Sequence, residues 1–197
     1  MIQPGGLVQS SVGSCTLNFV FRDGAGRLYI GTAGHCTKGS GERMIAGDGN
    51  RFGTVVYSKN AGNDDFALIQ IDPDKYGSVN PAVRTWGGPT GYTTSSETSL
   101  GDRLLLYGYG LGFSLTATTR PRQGILVSDD ANKYEADTLA VQGDSGGPFL
   151  HMATGKALGI VSHFAVGYTD QGPTVERVLA LSAAAGFTLS LVTAPLN

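Results

Sequence analysis

Cysteine is nearly absent from this 197-residue chain, which has two, Cys15 and Cys36. They lack the Cys-x-x-Cys or Cys-with-His spacing of a structural zinc site, so no metal site is read from them. Charge is scarce as well. Asp, Glu, Lys and Arg make up 15% of the residues, against about 25% in an ordinary globular domain. The formal net charge of −2 leaves no basic surplus for nucleic acid or an anionic lipid surface. Long hydrophobic runs are missing too. The longest candidate, Val178 to Val192, is interrupted by Ser182, Gly186, Thr188 and Ser190, whereas a membrane helix needs roughly 18 apolar residues in a row. No charged-then-apolar leader opens the chain. Met1 is therefore read as the start of a cytosolic protein or of an excised mature domain. There is no internal repeat, low-complexity tract or Asn-x-Ser/Thr sequon.

Glycine, by contrast, is abundant at 30 residues, about twice its usual share. With 41% hydrophobic residues the chain can bury a core and is not disordered. Few charges, many small residues and two cysteines suit a compact secreted β protein. Short apolar stretches rich in Val, Ile, Tyr and Phe recur at Cys15–Phe21, Leu28–Thr32, Gly53–Tyr57, Phe66–Ile71, Arg103–Tyr107, Gly124–Ser128, Pro148–His151 and Ala157–Phe164. They read as strands. Asp23-Gly24, Ala46-Gly47-Asp48-Gly49-Asn50, Ala61-Gly62-Asn63-Asp64 and Ala131-Asn132 punctuate them as turns. Many short strands between Gly-rich turns indicate an all-β barrel or sandwich. The stretch from Trp86 to Ser99 is poor in large aliphatics. It reads as a link between an N-terminal half (about 5–85) and a C-terminal half (about 100–192) of one unit over about 5–190. One helix is expected from Thr174 to Ala185, with Glu176 in its first turn and Gly186 at its stop.

Three segments carry chemistry: Thr32-Ala33-Gly34-His35-Cys36, Asn63-Asp64-Asp65-Phe66-Ala67-Leu68-Ile69 and Gly143-Asp144-Ser145-Gly146-Gly147-Pro148. A serine hydroxyl is a weak nucleophile until a neighbouring base takes its proton. Histidine has the right proton affinity for that task. A buried carboxylate, here Asp64 or Asp65, can hold the imidazole in one tautomer by accepting its second N–H. An oxyanion needs pre-aimed donors, which the backbone N–H groups of Gly143 and Ser145 can supply from a Gly-flanked turn.

The three motifs, in this order, resemble those of the chymotrypsin-like serine peptidases: TAGHC around His35, D-F-A-L-I from Asp65, and GDSGGP around Ser145. The sequence is more similar to the small bacterial branch typified by α-lytic protease and the streptogrisins. That similarity rests on Gly13-Ser-Cys-Thr-Leu-Asn-Phe19, on the Gly-Asn-Asp run before the carboxylate, and on the ending Val175-Glu-Arg-Val-Leu to Gly186-Phe-Thr-Leu-Ser-Leu-Val. The resemblance implies two perpendicular six-stranded antiparallel barrels, a C-terminal helix and an active site in the cleft between them. It makes Asp65 the triad carboxylate, with His35 and Asp65 from the first barrel and Ser145 from the second. The activity implied is that of a secreted serine endopeptidase working through a Ser145 acyl-enzyme on polypeptide substrates, as a monomer, with no cofactor or metal. Two alternatives stand beside it: an inactive peptidase-fold binding module, and a cytosolic protease domain of a larger protein. The resemblance also pairs Cys15 with Cys36, a bridge worth about 3.4 kcal/mol in the chain-entropy estimate; in a reducing compartment they would be free thiols. It has Ser162 donating to Asp65, His163 and Phe164 lining a cleft where substrate adds as a strand, and Gln142 among the substrate-binding residues. His151 is expected to end a strand at the surface.

Three departures bear on the site. Val141 occupies the place of a pocket-bracing Cys in many relatives. Asp144 cannot pair with a freed N-terminus of the animal pattern, because the chain starts Met1-Ile2-Gln3-Pro4; Tyr107, Arg120 and Arg122 are its candidate partners. Leu139 stands six residues before Ser145, where trypsin-like relatives carry a pocket-floor Asp. With Phe164 narrowing the mouth, a Leu139 floor implies cleavage after small or medium apolar residues and disfavours Lys and Arg, since an unpaired buried cation is costly.

Overall fold

The computed structural model describes residues 1–110, 120–164 and 169–197. The first half holds strands β1 (Leu7–Ser10), β2 (Gly13–Thr16), β3 (Val20–Asp23), β4 (Leu28–Thr32), β5 (Arg43–Ala46), β6 (Arg51–Ala61) and β7 (Asp64–Ile71). The second half holds β8 (Arg103–Tyr107), β9 (Pro121–Asp129), β10 (Lys133–Asp137), β11 (Pro148–His151), β12 (Ala157–Ile160), β13 (His163–Phe164) and β14 (Asp170–Pro173). Helix α1 (Val175–Ala184) and β15 (Leu189–Leu191) close the chain. Hydrogen bonding links the strands into two curled sheets, ordered β15-β3-β4-β7-β6-β5-β1-β2 and β12-β11-β8-β9-β10-β14-β13. The all-β chymotrypsin-like fold with a short C-terminal helix is thus present, with eight and seven strands in the two sheets among the described residues.

Why these stretches are so uniformly apolar follows from where each strand face goes. Side chains alternate along a strand. In β7, Ala67, Ile69 and Ile71 point into the core enclosed by the first sheet, whereas Phe66 and Leu68 enter a second core between the sheets. β4 divides likewise, with Leu28 and Ile30 inside and Tyr29 in the shared core. β8 sends Leu104 and Leu106 into the core of the second sheet and Leu105 and Tyr107 into the shared one. Both faces being buried, the sequence reads as a run instead of an alternation. Each Leu, Ile or Phe among them contributes about 1.5–3 kcal/mol by leaving water.

Helix α1 starts at Thr174, whose hydroxyl accepts from the Arg177 N–H and so satisfies one of the donors left open at a helix start. It buries Val175 and Val178 in the shared core. Two sequence expectations change here. The last strand, placed with the C-terminal half, instead pairs with β3 through Leu189↔Asp23 and Leu191↔Phe21, because a free edge of the first sheet accepts it. His151 ends β11 but is buried, not superficial: Nδ1 meets Thr154 Oγ1 at 2.8 Å and Nε2 lies 3.2 Å from Asp102.

An ion cluster ties the helix to β7. Arg177 donates to both oxygens of Asp64 at 2.7 and 2.8 Å, and Lys59 adds a contact at 2.6 Å. The Arg177 hydrogen bonds, against partial burial and with help from Lys59, hold the Asp64 carboxyl down to about 2 from an ordinary 3.8. A depressed carboxyl stabilises the fold above its ordinary value and ceases to do so as pH falls through the folded one. Asp64→Asn should therefore lower the unfolding free energy at pH 7 by about 1 kcal/mol, the magnitude reduced by solvent screening at this partly open site. The difference between the two proteins should close as pH falls from about 4 to about 2, read by urea denaturation at a series of pH values.

Candidate active site

Asp65, at the start of β7, is fully buried. An ionised carboxylate in that position needs donors on its oxygens. His35 supplies two, its backbone N–H to Oδ1 at 2.8 Å and its ring Nδ1 to Oδ2 at 2.6 Å. Ser162, between β12 and β13 of the other sheet, donates its hydroxyl to Oδ2 at 2.5 Å. Burial pushes Asp65 up, but the His35 and Ser162 hydrogen bonds outweigh it and hold the carboxyl below its usual value. The same bond from the other side raises His35 above an ordinary imidazole, against partial burial. Nδ1 is committed to Asp65, so Nε2 is the nitrogen left for other work. Asp64 takes no part, being held by Arg177 and Lys59.

Ser145 stands on a loop fixed from three directions. Asp144 is fully buried and is met by both terminal nitrogens of Arg122, at 2.6 and 2.7 Å, and by the backbone N–H groups of Gly110 and Val141 at 2.7 and 2.8 Å. Arg122 in β9 is thus the partner of Asp144, and neither Tyr107 nor Arg120 is. Tyr107 packs its ring in the shared core. Thr16 of β2 clamps the loop from the first sheet: its N–H donates to the Ser145 carbonyl at 2.9 Å and its hydroxyl to the Gly143 carbonyl at 2.8 Å. Gly146 lies at φ +86°, and a Cβ there would come within 2.3 Å of the Thr16 carbonyl oxygen. Only glycine lets the loop press so closely on the first sheet. Among the described residues the N–H groups of Asp144, Gly146 and Gly147 have internal acceptors, while those of Gly143 and Ser145 do not.

His35, Ser145, Gln142, Gly143 and the Cys15–Cys36 disulfide line one cleft. Among the described residues no hydrogen bond joins His35 to Ser145 Oγ. The two sulfurs sit close to His35, but they are bonded to each other and are not thiolate ligands. His163 pairs with Gln171, and its Nδ1 meets the Ser162 hydroxyl and lies 3.7 Å from Asp65. The Phe164 side chain lies outside the described residues. Leu139 corrects an expectation: its side chain is 59% exposed, so the closed apolar floor read at this position is not there. The backbone instead bends so that the Leu139 carbonyl accepts from Arg122 at 2.7 Å. Sequence reading passed over Thr16 and Asp170. Thr16 lies inside a quoted motif without a role, and Asp170 lies in no motif.

A family model described as a trypsin-like peptidase domain matches residues 13–160. The chain belongs to that family. No curated protein matches it. Among solved structures, protease A of Thermobifida fusca superposes with a TM-score of 0.71 at 26% identity, covering 98% of each chain. Nocardiopsis protease gives 0.69 at 21% identity over 96% of this chain and 98% of the other. The chymotrypsin of Cellulomonas bogoriensis gives 0.67 at 21%, over 97% and 98%.

In this trypsin-like domain the Ser145 loop hangs on one buried ion pair. Removing Arg122 would leave Asp144 charged, buried and without a counter-ion. Arg122→Met should therefore lower stability by about 3–5 kcal/mol. Asp144→Asn in the same background should recover part of that loss, since the uncompensated charge is then gone. Guanidinium unfolding of the four proteins checks both statements.

Proposed function

We propose that this peptidase is a serine endopeptidase acting through an acyl-enzyme on Ser145. The observation that carries the reading is the hydrogen-bonded series Ser162–Asp65–His35, ending at a cleft that also holds Ser145 and two backbone N–H groups without internal acceptors. In the first step Ser145 Oγ bonds to the substrate carbonyl carbon, and its proton passes to His35 Nε2. The carbonyl oxygen becomes an oxyanion, received by the N–H groups of Gly143 and Ser145. The C–N bond then breaks, the leaving nitrogen taking the proton from His35. Water, deprotonated by His35, attacks the ester carbon and returns the proton to Ser145 as the acid departs. Asp65 stays ionised throughout and stabilises the imidazolium, as its lowered pKa favours. A catalytic hydrogen bond missing in the substrate-free site is compatible with this, since such contacts tighten in the Michaelis complex.

His163 and Phe164 stand beside the cleft on a two-residue strand, suited to taking an extended substrate as an added strand. Gln142 lines the cleft that holds His35 and Ser145. The preference for small or medium apolar residues was tied to a Leu139 floor, which the exposure of that side chain removes. No helix among the described residues is long and apolar enough to cross a membrane. The disulfide supports an oxidising compartment and hence secretion over the cytosolic alternative.

Two measurements test the reading. A fluorophosphonate should label Ser145 in folded protein, and Ser145→Ala should lose labelling and all turnover except a residue of some 10³–10⁴-fold over water from oxyanion binding. A folded chain that binds peptides but resists the probe would instead be a binding module. His35 must be neutral to act as base, and its pKa is raised. The acid limb of kcat/KM should therefore lie above the ordinary imidazole value of about 6.5, and a profile flat down to pH 4 would exclude His35 as the base.

A further inference from the structure

Two imidazoles converge on one oxygen of Asp65. His35 Nδ1 lies 2.6 Å from Oδ2. His163, the first residue of β13, brings its own Nδ1 to 3.7 Å from the same oxygen. Between His163 and the carboxylate stands the Ser162 hydroxyl, 2.5 Å from Oδ2 and in contact with His163 Nδ1. Strand β14 holds this corner, for the Gln171 carbonyl accepts from the Ser162 N–H at 3.0 Å and Gln171 pairs with His163. Asp65 and Ser162 are buried. The His163 side chain is 39% exposed, so its ring can exchange protons with water.

The proton count fixes the direction of the contact. A serine hydroxyl has one hydrogen to give. The buried carboxylate has the stronger claim on it, since a bond to an ionised acceptor is roughly twice as strong as a neutral one. With that hydrogen on Asp65, the Ser162 oxygen can only accept from His163, so Nδ1 carries a proton. A proton on Nε2 instead would set two lone pairs against each other, or draw the Ser162 hydrogen away and leave Asp65 a donor short. A hydroxyl that accepts one hydrogen bond also donates a stronger one. We propose that His163 is a positioning residue of the active site: it keeps the Ser162 hydrogen on Asp65 and, through that carboxylate, ties its own protonation to that of His35. The catalytic consequence rests on the endopeptidase reading.

When His163 takes a second proton from water it becomes a cation beside Oδ2. Asp65 then serves two imidazole rings, and a proton on either disfavours one on the other. The remaining charges nearby are paired or turned away. On β7 Asp64 is held by Arg177 of α1 and Lys59 of β6. On β14 Asp170 pairs with Phe164, one residue beyond His163, so strand alternation puts it on the opposite face. On β10 Glu135 stands opposite Gln171 and lies 3.8 Å from Lys133. His163 is therefore the group that competes with His35 for Asp65. With His163 unable to carry charge, the whole carboxylate acts on His35, which then keeps its proton to higher pH.

Two variants separate the donor from the charge. His163→Asn retains an N–H near the place of Nδ1 but takes up no proton. His163→Phe retains a ring with neither donor nor charge. At about pH 8 kcat should be about 2- to 10-fold lower for Phe than for Asn, the fold-change of one net hydrogen bond. The acid limb of kcat/KM should be shallow in wild type, and in both variants should steepen to a single ionisation and move to higher pH. Proton–nitrogen correlation spectra of the imidazole rings need no turnover. They should place the proton of neutral His163 on Nδ1 and show His35 titrating at higher pH in both variants than in wild type. If Ser145 resists a fluorophosphonate, the endopeptidase reading fails while these spectra still decide this one. Should Phe disturb β13, the Asn variant and the wild-type tautomer carry the test. A His163 proton on Nε2, or a His35 titration identical in all three proteins, would overturn the proposal.

Discussion

One carboxylate, Asp65, fixes how the two sheets meet. It is closed to water, and an anion so placed must have its oxygens met by donors. Two come from His35, on the loop after β4, and one from Ser162 of the other sheet. Docking of the sheets and orientation of the imidazole are therefore a single requirement. If the second sheet withdrew, Asp65 would lose the Ser162 hydroxyl and the packing of Phe66 and Leu68 in the shared core together. The arrangement of Asp65, His35 and Ser162 forms only where the whole interface forms.

The Ser145 loop obeys the same rule by another route. Its buried anion, Asp144, is neutralised by Arg122 from within its own sheet. Thr16 then carries the loop's position across to the first sheet through the carbonyls of Gly143 and Ser145. Those two carbonyls face Thr16. Among the described residues the N–H groups of Gly143 and Ser145, which belong to the preceding peptide groups, have no internal acceptors.

Motif chemistry made much of this legible in the sequence. His35, Asp65 and Ser145 stand in short segments whose residue types suit one reaction, and buried runs such as Leu28–Thr32 and Arg103–Tyr107 coincide with strands to the residue. Elsewhere the signals were weak. β1, β5, β10 and β14 are short, mix polar with apolar residues and are held mostly by backbone bonds, so they leave no apolar run to find. The stretch Cys15–Phe21 is two strands, because the chain turns between Thr16 and Val20. Arg122 was one of three candidates because nothing local distinguishes it from Arg120; only the β8–β9 pairing, which sets Arg122 opposite Leu106, places it in reach of Asp144. Leu139 misled because counting back from the serine assumes a loop of fixed shape, whereas here the Arg122 bond to its carbonyl leaves the side chain outside.

Three buried aspartates show how completely partners govern a carboxyl. Asp65 is surrounded by three hydrogen bonds and is held below its usual pKa despite burial. Asp144 has a bidentate guanidinium and two backbone N–H groups. Asp170 has the burial without the partners, and its pKa moves the other way, to about 7. The side chain is the same in all three, so the contrast lies in what the fold supplies around it. The fold could have satisfied Asp170 with one more cation, but Arg122, within its electrostatic reach, is wholly engaged by Asp144 and two carbonyls. A carboxyl left over in this way contributes nothing to holding the sheets together.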